Sequence, residues 1–161
     1  MSQSEVQIRP FQTSDEQNIK SLIDGIMTHE FPQSRGAYPA TDLGNISTAY
    51  GDNGECFFVA TDRNRIVGTV AIKKEDERIA LLRRLFVDPQ YRKKQIGARL
   101  LDSATQFCKK NGYQEMVFRT SSKMDGAINL CKKKGFHQRA KLEIGGSELL
   151  KFVLFLGDHA E

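Results

Sequence analysis

The run Val87-Asp88-Pro89-Gln90-Tyr91-Arg92-Lys93-Lys94-Gln95-Ile96-Gly97-Ala98 places consecutive cations and one glycine just ahead of an amphipathic segment. Chemistry of one kind suits that spacing: holding an anion. The first amides of a helix lack internal partners and carry partial positive charge. A pyrophosphate accepts hydrogen bonds from such amides directly. Gly97 lets the backbone come close to the ligand, and Arg92, Lys93 and Lys94 add charge. Gln95 stands where a phosphate cradle usually has a further glycine. Without a ligand, the same residues read as a solvated basic turn. Cys56, Cys108 and Cys131 have no metal-ligand spacing, so reduced thiols and no metal are expected.

The elements that must position this loop are legible from periodicity. Val6–Arg9 alternates and stops at Pro10, a short strand. Thr13-Ser14-Asp15-Glu16 starts a helix whose apolar face is Ile19, Leu22, Ile23 and Ile26. Pro32, Gly36 and Pro39 mark a loop, after which Asp42 is expected to cap a short helix carrying Leu43, Ile46 and Tyr50. Three strands follow, Cys56–Thr61, Ile66–Ile72 and Ile79–Val87, with Lys73–Arg78 as an exposed hairpin end. Gly97–Lys110 is the clearest helix, stopped at Asn111-Gly112. Met116–Thr120 is a strand, Met124, Ala127, Ile128 and Cys131 mark a helix ended by Gly135, and strands His137–Ile144 and Leu149–Leu156 close the chain.

That order predicts an α/β fold. Its mixed, mostly antiparallel central sheet has six to seven strands, flanked by about four helices on both faces. One β-α-β unit, from Ile79 to Thr120, carries the parallel pair and the basic loop.

The 161 residues suffice for one domain with a core, expected over residues 1–161 with its packed part at about 5–156. A net charge of +4 fits an anionic ligand but falls well short of a dedicated nucleic-acid binder, so no nucleic-acid partner is expected. The N-terminus lacks a basic region followed by an apolar run, and no apolar stretch is long enough to cross a bilayer. A cytoplasmic protein without a membrane partner is the expectation.

The stretch L-R-R-L-F-V-D-P-Q-Y-R-K-K-Q-I-G-A-R-L-L resembles the coenzyme-binding segment of the GNAT superfamily of acyl-CoA N-acyltransferases, with Arg92 and Gly97 at its pattern positions. F-R-T-S-S-K-M-D-G-A-I-N-L-C-K-K-K-G-F resembles the closing motif, with Ala127, Leu130, Gly135 and Phe136 in place. F-F-V-A-T-D-R-N-R-I-V-G-T-V is similar to the family's second and third strands. The resemblance spans roughly residues 5–156.

The resemblance implies the GNAT fold and acetyl-CoA as cosubstrate, with transfer of its acetyl group to a primary amine of a small molecule or protein. Main-chain groups of Leu85, Phe86 and Val87 would hold the pantetheine arm, and the amides of Lys93, Lys94, Gln95, Ile96, Gly97 and Ala98 the pyrophosphate, with Arg92, Met124 and Ala127 at the same site. A deprotonated amine would attack the thioester directly in a ternary complex. The Val87 N–H would polarise the carbonyl as an oxyanion donor does.

Three departures stand out. Gln95 replaces the usual first glycine, acceptable if its backbone angle is ordinary. Met124 stands where many relatives have Asn. Cys131 stands where many have the tyrosine that protonates the leaving thiolate. The Cys131 thiol is therefore a candidate general acid, with a small core residue as the plainer alternative. Leu81 occupies the position where relatives often place a glutamate base and cannot serve. His29, beside the expected acceptor region, is the candidate base, while Glu77 reads as a solvated charge, His137 has no visible partner and His159 falls in a tail expected to be disordered. Two other readings stay open: a GNAT-like module that binds acyl-CoA without turnover, and a nucleic-acid binder using Arg83, Arg84, Arg92, Lys93 and Lys94. Monomer and homodimer are both compatible with the resemblance.

Overall fold

The computed structural model describes residues 6–33 and 40–157. Gly36, Pro39 and His159 lie outside the described residues. The chain runs β1 (Val6–Pro10), α1 (Glu16–Glu30), α2 (Ile46–Ala49), β2 (Cys56–Asp62), β3 (Arg65–Lys74), β4 (Ile79–Val87), α3 (Ile96–Lys110), β5 (Glu115–Ser121), α4 (Asp125–Lys133), β6 (His137–Ile144) and β7 (Ser147–Phe155). The strands form one seven-stranded sheet in the order β1-β2-β3-β4-β5-β7-β6. Every neighbouring pair is antiparallel except β4 and β5, which are parallel and joined through α3. The order and the α/β class agree with the reading of the sequence.

Each helix buries the stripe its sequence offers. In α1, Ile19, Ile23, Ile26 and Met27 face a cluster with Phe57, Val59 and Ala71 on one side of the sheet. In α3, Leu100, Leu101, Ala104 and Cys108 pack on the other side, with Ile128 and Cys131 of α4 beside them. Full burial of each large apolar side chain contributes about 1.5–3 kcal/mol. Close packing of α3 also depends on Gly68 in β3. A Cβ there would meet Leu100 Cδ1 at 2.9 Å and the Phe86 carbonyl at 3.2 Å.

Three local expectations need correction. Asp42 does not cap a helix. It lies inside a 3-10 turn, Thr41–Gly44, and its carboxylate turns inward to Arg84 and Tyr50. Met124 is not in α4 but immediately precedes it. The hairpin end is shorter than expected because β3 continues to Lys74, and the Asp76 carboxylate closes the turn by accepting from the Arg78 and Ile79 amides.

Candidate functional site

Strands β4 and β5 pair only from Ile79 to Leu82 and from Glu115 to Phe118. Beyond those residues both strands continue, but apart. A bulge in β4 accompanies the separation. Thr69 and Ala71 of β3 are two apart, while their partners Phe86 and Arg83 are three apart. The extra residue lies at Arg84, whose φ of 55° is left-handed. The Thr69 hydroxyl donates to the Arg84 carbonyl at 2.7 Å and pins the bulge. Further on, the Asp88 amide donates to the Val67 carbonyl. Since successive amides of a strand point to opposite sides, the Val87 N–H points away from β3, into the opening.

At the end of β4 the chain makes a 3-10 turn, Pro89–Tyr91, in which the Asp88 carboxylate accepts from the Gln90 amide. The Tyr91 hydroxyl donates to Asp62 at 2.6 Å, and Lys94 Nζ stands 5.4 Å from the Tyr91 ring centre. The first amide that closes a helical bond is Arg99, to the Gln95 carbonyl. The N–H groups of Ile96, Gly97 and Ala98 therefore point out of the helix end. They border a cleft of about 410 Å³ that is lined by Leu85, Phe86, Val87, Arg92, Lys93, Gln95, Ile96, Gly97 and Ala98, with Met124, Gly126, Ala127 and Leu130 opposite. A Cβ on Gly97 would stand 3.3 Å from Leu130 and 3.6 Å from Val87, inside that cleft.

The loop departs from expectation in three details. Gln95 does not take an ordinary backbone angle: its φ is 67° and ψ 10°, a conformation that costs an L-residue about 1–2 kcal/mol. Lys93 shares it, at φ 63°. Arg92 is already engaged, with its guanidinium on Glu30 at 2.7 Å and on the Val87 carbonyl at 3.1 Å. Lys94 stacks toward Tyr91 and does not line the cleft.

A second cavity, about 240 Å³, occupies the opening between the separated strands. It shares Leu85, Phe86 and Met124 with the first and adds Leu81, Arg83, Arg84, Val117, Arg119 and Leu149. Arg84 is buried and grips Asp42 through Nε at 3.0 Å and a terminal nitrogen. The Tyr50 hydroxyl donates to the same carboxylate. Burial works to raise the Asp42 pKa, but the bonds from Arg84 and Tyr50 outweigh it and hold the carboxyl below its ordinary range. Arg84 is thus not part of an exposed basic patch, which removes one residue from the nucleic-acid reading.

The proton-transfer candidates are not brought to these cavities. Cys131 is fully buried in the core beneath α3, lines neither cavity, and burial pushes its thiol up to about 12. Its position, on the inner face of α4, supports the plainer core role. His29 is exposed in the last turn of α1 and lines neither cavity. Glu77 is exposed and pairs with Lys74. Among the described residues that line the two cavities, none is a carboxylate or an imidazole. Residues that the sequence did not mark as coenzyme-binding also line the cleft: Ile26, Phe31, Tyr91, Gly126 and Leu130. A signal existed for two of them, because Gly126 and Leu130 share a helical face with Ala127.

The model of the Acetyltransferase (GNAT) family matches residues 22–136. Human N-acetyltransferase 8 is 33% identical over 88 residues, 51% of this chain and 39% of that protein. The chain thus spans less than half the length of that curated relative. A crystal structure of an acetyltransferase of the GNAT family from Staphylococcus aureus Mu50 superposes with a TM-score of 0.82 and 26% identity, covering 94% of this chain and 99% of that one. The structure of yncA from Salmonella typhimurium with its cofactor acetyl-CoA gives a TM-score of 0.79 at 19% identity, covering 98% of this chain and 97% of that one.

Proposed function

The chain belongs to the GNAT acetyltransferase family, and from that premise we propose that it transfers the acetyl group of acetyl-CoA to a primary amine. The observation that carries the reading is the meeting of two cavities at Leu85, Phe86 and Met124. One is bordered by helix-terminal amides and the other by side chains of the separated strands. A two-substrate reaction in a ternary complex needs that juxtaposition, and holding both reactants in line supplies much of its acceleration.

The fit to the coenzyme rests on the chain's own groups. The amides of Ile96, Gly97 and Ala98 suit the pyrophosphate, with Lys93 adding charge at the cleft. The outer half of β4 has a free side along which an extended pantetheine arm can pair as a strand would. When bound, acetyl-CoA supplies a thioester carbonyl that a neutral amine attacks, with coenzyme A as leaving thiolate. The Val87 N–H, aimed into the opening, is the donor placed to stabilise charge on that carbonyl oxygen. Phe86, Met124 and Leu85 exclude water at the junction. With no carboxylate or imidazole on the cavity walls among the described residues, the amine's proton leaves to solvent through the open side. Cys131 is left out of the proton path.

The first test is thermal unfolding with and without acetyl-CoA. At one hundred times the dissociation constant, stabilisation is expected at about 2.7 kcal/mol, a rise of roughly 5–10 °C for a domain of this size. Release of coenzyme A thiol with a panel of amines then reads turnover. No rise at saturating acetyl-CoA sinks the coenzyme assignment; a rise without thiol release from any amine leaves a binding module.

A further inference from the structure

The wall of the second cavity carries more positive charge than its chemistry requires. Leu81 and Val117 are partners in the parallel pairing of β4 and β5. Two residues on, Arg83 and Arg119 stand opposite each other across the opening, and both line the cavity. Arg119 is in turn the register partner of Lys151 on β7. Partners across strands share a face, so β4, β5 and β7 present a row of three cations on the side of α1 and α2. The Arg83 guanidinium lies 5.9 Å from the Tyr50 ring centre and leaves the Asp42 carboxylate to Arg84. Among the described residues, neither Arg119 nor Lys151 makes an ion pair or a side-chain hydrogen bond. Like charges side by side on adjacent strands repel; the Asp42 carboxylate acts on Arg83 through charge alone while bonded to Arg84, and among the described residues no acid pairs with Arg119 or Lys151.

Apart from Arg84, whose charge is taken up by Asp42, the remaining walls, including Leu81, Val117 and Leu149, are apolar. Such a site binds an anion attached to a small body. Two guanidinium forks across a narrow opening match a carboxylate better than a point charge would. The row belongs to the acceptor side, since the coenzyme cleft lies toward α3 and α4. It also bears on the nucleophile. A cationic surrounding disfavours an ammonium and favours the neutral amine, which a site without a base on its walls needs. Resting on the acetyl-transfer reading above, we propose that the acceptor is a small primary amine that carries a carboxylate, held by Arg83 and Arg119 across the opening between β4 and β5, with Lys151 adding charge.

The test is calorimetric titration of the full chain, with and without coenzyme A, using α- and ω-amino acids, their carboxamides and the matched amines lacking the carboxyl group. Amino acids are expected to bind at least tenfold more tightly than their amides. The exposed position of Arg119 makes R119Q safe for folding; it should erase most of that preference, and R119K should restore part of it. The temperature rise with acetyl-CoA should be the same in R119Q as in wild type. Equal affinity for acid and amide, as a peptide N-terminus would require, overturns the proposal. So does a preference that survives in the R83Q/R119Q double variant, or the absence of any amino-acid binding by protein whose acetyl-CoA shift is intact. A missing acetyl-CoA shift counts against the coenzyme reading instead; a carboxylate preference that R119Q erases stands without it.

Discussion

The two cavities that meet at Phe86 are built from different materials. On the α3 side, the groups proposed to bind are main-chain amides of Ile96, Gly97 and Ala98, presented by a helix end. On the α1 side they are guanidinium groups, and one of them, Arg84, is locked to a carboxylate 42 residues away in the chain. A site made of backbone tolerates many side-chain changes and depends on shape. A site made of charges tolerates changes of shape and depends on pairing. The contrast predicts which substitutions each side will bear.

The largest effect should come from breaking the Asp42–Arg84 pair. R84M leaves a buried carboxylate without its counter-charge, and such losses typically cost about 3–5 kcal/mol. Urea denaturation should register it, and D42N/R84M should recover much of the loss; a change below 1 kcal/mol in R84M would mean that the pair is solvated. The same pair sets an acid limit. Because the folded Asp42 pKa is depressed, its contribution is present in full above the unfolded value, whose ordinary position is 3.8, and is lost as pH falls through the lower folded value. In D42N/R84M that part of the acid sensitivity should vanish.

Next comes Gly97→Asp on the backbone side. Bulk and negative charge inside the cleft should reduce acetyl-CoA affinity by at least a hundredfold, about 2.7 kcal/mol, read as loss of the thermal shift in a protein that still unfolds cooperatively. Retained affinity would remove the helix end from the site. A smaller effect of opposite sign is expected for Gln95→Gly. Relief of the left-handed strain, partly offset by the entropy of an added glycine, should stabilise the protein by up to about 1 kcal/mol. Loss of stability would mean that the Gln95 side chain contributes contacts that outweigh its strain. Smallest is Glu30→Gln. A half-exposed pair changes stability by about 1 kcal/mol or less, but freeing Arg92 should tighten acetyl-CoA binding; weaker binding would show that Glu30 holds Arg92 where the ligand needs it.

The same contrast explains what could be read in advance. The helix-end site was legible because its signals are local: a strand, a basic turn, Gly97 and an apolar stripe follow one another in sequence. The strand and helix order was legible for the same reason. Arg84 was not. In L-R-R-L-F-V, strand alternation makes two adjacent arginines point to opposite faces, so the pair reads as ordinary strand chemistry. The bulge turns both toward α1 and α2, and nothing near position 84 announces a partner at position 42. Gln95 shows the same limit. Its residue type argues for an ordinary φ, yet the turn into α3 imposes a left-handed one. Cys131, by contrast, was legible as a core residue, because it shares the apolar stripe of α4 with Ile128 and both are buried.

The early end of pairing between β4 and β5 has a consequence for the molecule at rest. A sheet normally exposes unpaired backbone only at its outer strands, where it invites other chains to add on. Here such an edge lies mid-sheet, along the outer half of β4, as if one short strand had been left out. A coenzyme arm laid along it would act as a replaceable part of the sheet. Amide hydrogens near Val87 should then exchange with solvent faster than those of β3 beside them, and slow down on ligand binding. The fold would be finished by its own substrate and reopened with every product released.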